Sequence, residues 1–528
     1  MKRIDNFYTG RFGNMKTTSV CKCSQSVPNM PKWTLRISLV CIYLRMNQLK
    51  RKDSMKYNCL KYMLTALLLV CAMVAGAADF QVGGICYNIL SQEERTVEVT
   101  LIGDGYSTFH GEYKGTMKIP AMVAHDGTTY SVVAIGEGAF WGASELQGIT
   151  IPASVKSIGE GAFSDCTGLT AIVLPDSVTC IAAEAFNNCT GLASVVIPNS
   201  VTTIGSSAFG NCSALAAVAI PSGVTTIEAS VFSGCTSLAG IEIPGGVTAI
   251  GNSAFLNCAA LTAVVIPDGV TAIGDYAFSD CSGLEGVVIG SGVKRIGKRA
   301  FYNCTGLTSV VIPDGVTDID VLAFANCSRL ATVVLGNRVA NIGREAFSNC
   351  SALAGIELPA SVRSVGTGAF GNCTSLASIA VAEGNAVYDS RENCNAIIMT
   401  KNNTLLIGCK NSVIPGSVTT IGASAFANCT GLTDIVIPGS VTTIKNYAFR
   451  GCTGLTKIEI PASVRTIGDY AFNNCTGLAS ATIGDGVKNI GHYAFANCNG
   501  LAGIKLPDSV TSIGQSAFDG VPEVVYPE

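Results

Sequence analysis

Thiols are unusually numerous in this sequence among the groups that could do chemistry. The 528 residues include 23 Cys, but only three His and two Trp. Cysteine can ligate a metal, form a disulfide or act as a nucleophile, and each use requires particular partner groups. The sequence offers no Ser/His/Asp set, no paired catalytic carboxylates and no His-rich cluster to supply them. It therefore predicts neither an enzyme nor a bound cofactor or metal. The remaining enzyme alternative is a site hidden in residues 79–132 or 382–413.

Most of the cysteines share one position in a repeating pattern. They are Cys166, Cys189, Cys212, Cys235, Cys258, Cys281, Cys304, Cys327, Cys350, Cys373, Cys429, Cys452, Cys475 and Cys498. Equivalent side chains in successive repeats point the same way, so their sulfurs lie side by side, which does not suit disulfide geometry. We expect a ladder of small buried structural thiols. Disulfides or a metal site are the alternatives.

Phenylalanine marks the elements that must position these thiols. Phe recurs every 23 residues, and after a gap of 56 residues the same spacing resumes. The positions are Phe140, Phe163, Phe186, Phe209, Phe232, Phe255, Phe278, Phe301, Phe324, Phe347 and Phe370, then Phe426, Phe449, Phe472, Phe495 and Phe518. The unit reads A-F-x-x-C-x-x-L-x-x-[VI]-x-[IL]-P-x-[SG]-V-T-x-I-G. A period this regular indicates a repeat architecture rather than an ordinary globular core.

The spacing within one unit predicts two short strands. In L-x-x-[VI]-x-[IL] alternate residues lie on one face, and Pro ends that strand because it lacks a backbone N–H. V-T-x-I forms a second extended segment, Gly turns the corner, and A-F-x-x-C makes a short helical or 3₁₀ turn. Six buried apolar side chains contribute about 9–18 kcal/mol, less than the ~1–2 kcal/mol per residue needed to order the unit. Stability therefore requires that the coils stack.

These motifs resemble the BspA-like (Treponema-type) leucine-rich repeats over about residues 133–520. The resemblance implies a repeat solenoid: a right-handed leucine-rich-repeat stack of 23-residue coils, β-rich, with short helical or 3₁₀ turns. It also implies a secreted or cell-surface protein of a host-associated bacterium that binds a host matrix or bacterial surface protein. The family brings no catalytic residues and no cofactor.

The N-terminal region reads as a targeting segment rather than as part of the fold. Basic residues after Met55, an apolar stretch over 64–74 and Ala75-Gly76-Ala77 predict a signal peptide, residues 55–77, cleaved after Ala77. A buried helix is the alternative. Residues 1–54 precede this signal, so we expect an over-extended gene model, with a cytosolic extension as the rival interpretation. Cys71 follows Val70 where a small residue is needed, which makes a lipid anchor the less favoured form of surface attachment.

The rest of the chain divides into a cap and two repeat blocks. The segments are 78–132 (N-terminal β cap), 133–381 (first block), 382–413 (inserted β-hairpin) and 414–528 (second block with a C-terminal cap). In the insertion, Asn395–Thr400 and Asn403–Gly408 are expected to form a hairpin about Lys401-Asn402 that projects from the stack. A two-residue turn there sets Cys394 opposite Cys409 and predicts a disulfide between them. Two buried thiols are the alternative.

Two rows of side chains could form binding surfaces. The outward position of the first strand is Val in seven coils, four of them consecutive: Val265, Val288, Val311 and Val334. A flat, apolar and uncharged stripe suits contact with a protein, or with further copies of the chain in a homo-oligomer or filament. The simpler interpretation is that Val merely favours a strand.

The second row is aromatic. Tyr447, Tyr470 and Tyr493 stand two residues before Phe in three consecutive coils. A solvent-facing tyrosine ladder would suit recognition of protein or carbohydrate. Copying of neighbouring repeats would also explain it.

Charge argues against nucleic acid as a partner. The whole chain has a formal charge of −3, but residues 1–77 hold 13 Lys/Arg and two Asp, which leaves 21 basic and 35 acidic residues, a net −14, for residues 78–528. An acidic product favours neither nucleic acid nor an anionic membrane. Because the apolar residues follow the repeat, the mean hydropathy of +0.41 does not indicate a membrane span in the mature chain.

Overall fold

The computed structural model describes residues 78–101 and 113–526. The segment 1–54, the predicted signal peptide and Cys71, the less favoured candidate for a lipid anchor, lie outside the described residues. Within them, the chain forms a stack of 23-residue coils, each contributing short strands that pair in parallel with the same strands of the neighbouring coils. The predicted repeat solenoid is confirmed.

The strand formed by the L-x-x-[VI]-x-[IL] segment is named the A strand. Its residues alternate between exposed and buried, so that the outward position is solvent-facing. The A strands are Leu146–Thr150, Ala171–Val173, Ser194–Val196, Ala263–Ile266, Gly286–Ile289, Ser309–Val311, Thr332–Val334, Gly355–Leu358, Ser378–Val381, Lys457–Ile460, Ser480–Ile483 and Ile504–Lys505, with Val524–Val525 pairing to the last.

The strand formed by the V-T-x-I segment is named the B strand. Each is two residues long, and its second residue faces the core in all but the last coil of the first block and the final coil. The B strands are Ser157–Ile158, Cys180–Ile181, Thr203–Ile204, Thr226–Ile227, Ala249–Ile250, Ala272–Ile273, Arg295–Ile296, Asp318–Ile319, Asn341–Ile342, Ser364–Val365, Thr420–Ile421, Thr443–Ile444, Thr466–Ile467, Asn489–Ile490 and Ser512–Ile513.

The core is a set of identical side chains stacked along the axis. Rings of successive coils, such as Phe301 and Phe324, lie nearly parallel with centroids 5.1 Å apart. At the N-terminal end the ring of Tyr113 covers Phe140 at 4.8 Å. Beside the rings, Leu307 and Ile296 are fully buried and pair with their equivalents in neighbouring coils. Each coil therefore buries its apolar face only against the coils on either side of it.

The A-F-x-x-C segment forms turns closed by i→i+3 hydrogen bonds, such as Cys281 N to Phe278 O at 3.4 Å, but not a continuous helix. Within the described residues the one 3₁₀ helix is Arg391–Asn393, in the insertion. The reason lies in two left-handed residues per turn, for example Tyr276 with φ 59° and Asp280 with φ 60°, which a right-handed helix cannot contain. Their backbone N–H groups donate to the next coil instead, as Tyr276 N does to Lys298 O at 2.8 Å.

Residues before the first Phe-marked coil extend both strand rows. The described residues of this segment form six strands. They are Phe80–Val82, Ile85–Ser91, Thr96–Thr100, Gly115–Lys118, Met122–His125 and Thr128–Ile135. Gly115–Lys118 pairs with the first A strand and Thr128–Ile135 with the first B strand, both in parallel. The apolar end of the first coil is therefore covered by strands that continue its own hydrogen-bonding pattern.

The insertion lies inside the stack and does not project from it. Its strands are Tyr388–Asp389, Ala396–Met399 and Thr404–Gly408. Thr404–Gly408 pairs in parallel with the B strand of the next coil, while Ile397 and Ile398 are both fully buried. Ile397 packs with the first block and Ile398 with the second. A hairpin that is apolar on both faces must be buried on both, which fixes it between the two blocks.

Within residues 78–101 and 113–526 we find no helix with the length and apolar character that crossing a membrane requires.

Candidate functional site

The cysteine ladder satisfies backbone carbonyls in the core. The Sγ of Cys304 donates to the carbonyl oxygen of Phe278, 26 residues earlier, at 3.2 Å. Twelve further ladder cysteines make the same bond to the carbonyl oxygen of the Phe that lies 26 residues earlier, in the preceding coil, at 3.0–3.3 Å. Each thiol therefore occupies a small buried space and is the second donor to a carbonyl of the preceding coil, since Phe278 O also accepts from Cys281 N at 3.4 Å.

Burial also makes these thiols unreactive. It raises the pKa of Cys281, Cys327 and Cys373 to about 12, so thiolate is scarce near neutral pH. None of the cysteines in the described part of the chain forms a disulfide. No group of three or more His, Cys, Asp or Glu among the described residues is arranged to hold a metal.

Cys429 departs from the rest of the ladder. It follows the insertion, so the coil immediately beneath it is not a standard one, and no bond from its sulfur to a Phe carbonyl is formed. It is also the one ladder cysteine that is partly exposed. It borders a small cavity of about 20 Å³ at the junction of the two blocks, together with Cys373, Cys409 and Gly408.

The structure does not bring Cys394 and Cys409 together as a disulfide. Both are free and almost fully buried. The hairpin register pairs Ala396 with Gly408, so a continuation of it sets Cys409 opposite Asn395 rather than Cys394. The two thiols face opposite sides of the hairpin, Cys409 towards the core of the first block and Cys394 towards that of the second. A one-residue register shift between Ile397 and Ile398 produces this offset, because the pair beside the turn, Met399 with Thr404, still has the register that would set Cys394 opposite Cys409.

The valine stripe lies on a regular parallel sheet. Val265, Val288, Val311 and Val334 have exposed fractions of 50–61%. Val265 pairs with Val288, and Val311 with Val334, in register. The neighbouring outward positions on the same strands are small or short, namely Ala263, Gly286, Ser309 and Thr332. The stripe is therefore flat, apolar and free of charged side chains within these strands.

The same face changes character in the second block. Val436 has an exposed fraction of 75%, but the next outward position is Glu459, which forms an ion pair with Lys457. These residues line a shallow depression of about 640 Å³ with Asp434 and Thr482. The A face is thus apolar from Val265 to Val334 and mixed in charge around Lys457 and Glu459.

The three tyrosines form a stacked column. The ring centroids of Tyr447 and Tyr470 are 5.1 Å apart, and those of Tyr470 and Tyr493 are 4.9 Å apart. Tyr447 is exposed, whereas Tyr470 and Tyr493 are half-buried by stacking. All three have φ between 54° and 62°, in the left-handed region. The column is therefore held by the turn geometry, and the ring edges face solvent.

A second cluster in the same column has no counterpart in the sequence predictions. Arg299 places its guanidinium carbon 5.6 Å from the ring centre of Tyr276 and 5.2 Å from that of Tyr302. Its Nη1 also donates to the Tyr276 hydroxyl at 3.3 Å. The signal was available, because Arg299 stands two residues before Phe301, where Tyr276 stands one coil earlier.

A profile of the BspA type leucine rich repeat region matches residues 133–262, 248–377 and 406–524. The chain belongs to this family. BspA-type proteins are repeat proteins that are generally not enzymes and are typically secreted or displayed at the surface. Their leucine-rich-repeat fold is a general scaffold for protein interaction.

One of the similar solved structures shows the same fold as this BspA-type chain, and two others are similar in sequence. A leucine-rich repeat protein from Bacteroides ovatus is 26% identical, with a TM-score of 0.52, and the match covers 85% of this chain and 100% of that one. A leucine rich cell surface protein from Faecalibacterium prausnitzii is 25% identical with a TM-score of 0.35, over 85% and 94%. A leucine rich repeat protein of T. pallidum is 26% identical with a TM-score of 0.30, over 43% and 90%. Curated proteins gave no match.

Proposed function

We propose that this protein is a non-enzymatic, secreted or cell-surface binding protein whose A face contacts a host matrix or bacterial surface protein. The observation that carries the proposal is the exposed valine stripe, Val265 to Val334. Four adjacent coils present a β-branched apolar side chain to solvent at the same position, on strands without charged residues. Uninterrupted apolar surface of this kind is characteristic of contact sites.

Delivery to the outside follows from the predicted signal peptide, with cleavage after Ala77. The acidic mature chain is consistent with it, because a net charge of −14 keeps a long apolar-striped solenoid in solution. Mass spectrometry of the protein purified from culture medium or from the cell surface should give an N-terminus at Ala78. Recovery of the unprocessed chain from the cytosol would contradict this part of the proposal.

The binding surface is tested by replacing three valines with an isosteric polar residue. The triple variant V265T/V288T/V311T keeps β-branching, so the sheet is retained, but removes apolar surface from the stripe. Residues 78–528 should capture a protein from host matrix or bacterial surface extracts, and the variant should bind that protein roughly tenfold or more weakly. Surface plasmon resonance with the captured protein measures the change.

The matched control is V173T/V436T, which changes two exposed valines outside the run of four. Binding should remain at the wild-type level in this variant. Equal capture by the triple variant, with unchanged thermal unfolding, would exclude the stripe as the contact surface.

Self-association through the same stripe is the second candidate. It is favoured by the in-register pairing of the valines, which makes the surface flat and complementary to a second copy. Sedimentation velocity over a range of concentrations separates the two candidates. A wild-type chain that dimerises, and a triple variant that stays monomeric, would favour self-association over a foreign partner.

A further inference from the structure

The tyrosine column ends in an open notch over Tyr493. The equivalent space over Tyr276, earlier in the chain, is filled by an arginine. The column runs through the residue two positions before Phe in every coil. After Tyr493 the next member is Ser516, whose side chain ends at Oγ and cannot cover a phenol ring. One face of Tyr493 is stacked on Tyr470 at 4.9 Å, and the other is directed towards the coil of Ser516.

An equivalent position earlier in the chain is occupied by an arginine side chain. One coil after Tyr276 stands Arg299, with its guanidinium over the Tyr276 ring and a hydrogen bond to the Tyr276 hydroxyl. Three residues after Arg299, Tyr302 lies against the same guanidinium. The backbone is equivalent at the two places, since φ is 54° at Arg299 and 54° at Ser516. A guanidinium over Tyr493 would therefore occupy the position that Arg299 occupies over Tyr276.

The surroundings of the notch are suited to a cation. The residue three positions after Ser516 is Asp519, which is exposed and has the place that Tyr302 has beside Arg299. A carboxylate there can pair with a guanidinium stacked on the ring, which combines cation–π attraction with a charge-assisted hydrogen bond. The other end of the column differs, because the guanidinium carbon of Arg450 lies 5.9 Å from the ring centre of Tyr447 and repels a further cation.

We propose that Tyr493, Ser516 and Asp519 form a binding notch for one arginine side chain of a partner protein. The guanidinium stacks on Tyr493 in the space above Ser516 and pairs with the Asp519 carboxylate. A basic segment is also attracted by the net charge of −14 over residues 78–528. The notch extends the proposed protein-binding function to a second face and does not involve the valine stripe, so either proposal can fail alone.

The test uses residues 78–528 and two small probes, acetyl-Gly-Arg-Gly-amide and its citrulline analogue, which has nearly the same shape without the charge. Saturation-transfer NMR should show contact at the arginine side chain, and titration should give a dissociation constant at least fivefold lower for the arginine probe than for citrulline. Absence of binding by the arginine probe, or equal binding of both probes, would overturn the proposal.

The decisive variant is S516R, which places an arginine in the notch from the chain itself, as Arg299 does one coil after Tyr276. It should fold as the wild type does and lose probe binding roughly five- to tenfold. S516G, which also tolerates the left-handed backbone but fills nothing, is its matched control and should bind like the wild type. Wild-type affinity in S516R would exclude the notch.

Two further pairs locate the contacts. Y493S should lower the affinity for the arginine probe roughly fivefold, whereas Y447S, at the other end of the column, should leave that affinity unchanged. D519N should weaken it roughly two- to fivefold while D485N, at an exposed Asp elsewhere, does not. If Y493S and Y447S, or D519N and D485N, changed the affinity for the probe equally, the binding would reflect general attraction to an acidic protein. That result would overturn the assignment.

Discussion

At the residue scale, the ladder cysteines are explained by one bond that recurs along the stack. The thiol is small enough for the turn beside the Phe rings, and its S–H reaches the Phe carbonyl of the coil before. Alanine at the same position would remove that bond but leave Phe278 O with its other donor, the backbone N–H of Cys281, so the cost is that of one hydrogen bond, about 0.5–1.5 kcal/mol. Cys429 makes no such bond and is partly exposed, so it offers an internal comparison.

We expect C304A to lower the free energy of unfolding by about 0.5–1.5 kcal/mol, the net contribution of one hydrogen bond, and C429A to lower it by less than about 0.5 kcal/mol. Urea unfolding followed by circular dichroism measures both. In the native wild type, Cys429 should be the first ladder thiol to react with iodoacetamide, as peptide mapping would show. Equal losses of stability, or earlier labelling of Cys304, would contradict this account of the ladder.

The thiols also predict a loss of stability at alkaline pH. Burial raises the pKa of Cys281, Cys327 and Cys373 from 9.0 to about 12 in the folded chain. The folded state then holds protons that the unfolded state has released, so the stabilisation is complete below pH 9 and is lost as pH rises from 9 to 12. The midpoint of urea unfolding should fall over this range. In C281A/C327A/C373A the fall should be smaller, and an equal fall in that variant would argue against the thiols as its source.

At the element scale, the insertion is joined to the second block through a glycine. A β-carbon on Gly408 would overlap the ring of Phe426, the first Phe of that block. The main chain of the Thr404–Gly408 strand therefore takes the place next to this ring, and Gly408 N donates to Ala425 O at 2.8 Å. The insertion can pack against the first coil of the second block because Gly408 has no side chain where its strand contacts Phe426.

We therefore expect G408V to destabilise residues 414–526 relative to the first block, by about 1–3 kcal/mol, because the core there is already filled. Hydrogen exchange read by mass spectrometry should show faster exchange in the second block alone. G416A is the control, since a β-carbon on Gly416 meets nothing within 4 Å. Uniform exchange in both blocks of G408V would show that the insertion does not separate them.

At the scale of the whole molecule, stability is a chain of contacts between neighbouring coils. Phe301 lies between two stacked rings at 5.3 and 5.1 Å, whereas Phe518 stacks on one ring at 5.7 Å and retains an exposed fraction of 8%. In such an array each interface contributes separately, so removal of a central ring weakens two interfaces and removal of a terminal ring weakens one.

F301A should lower the free energy of unfolding by about 3–5 kcal/mol and allow the two sides of the break to unfold in separate steps. F518A should cost less and leave the main transition intact. Differential scanning calorimetry distinguishes the outcomes. A single cooperative transition in F301A, shifted as far as in F518A, would contradict the nearest-neighbour description.

The sequence by itself determined the repeat, because a period of 23 residues in Phe, Cys, Leu and Ile can be satisfied only when equivalent residues of successive coils meet. It also determined which valine and tyrosine side chains face solvent, since strand alternation and the fixed position before Phe set those directions locally. The tertiary structure alone decided three points. Two left-handed residues per turn excluded a helix at A-F-x-x-C, because their N–H groups bond to the next coil. The hairpin register separated Cys394 from Cys409 and buried the insertion, since both of its faces required partners. The sequence puts Arg299 and Tyr276 at the same repeat position, but only the stacking of coils decides that the guanidinium lies over the ring of the coil before and that the corresponding place over Tyr493 is open.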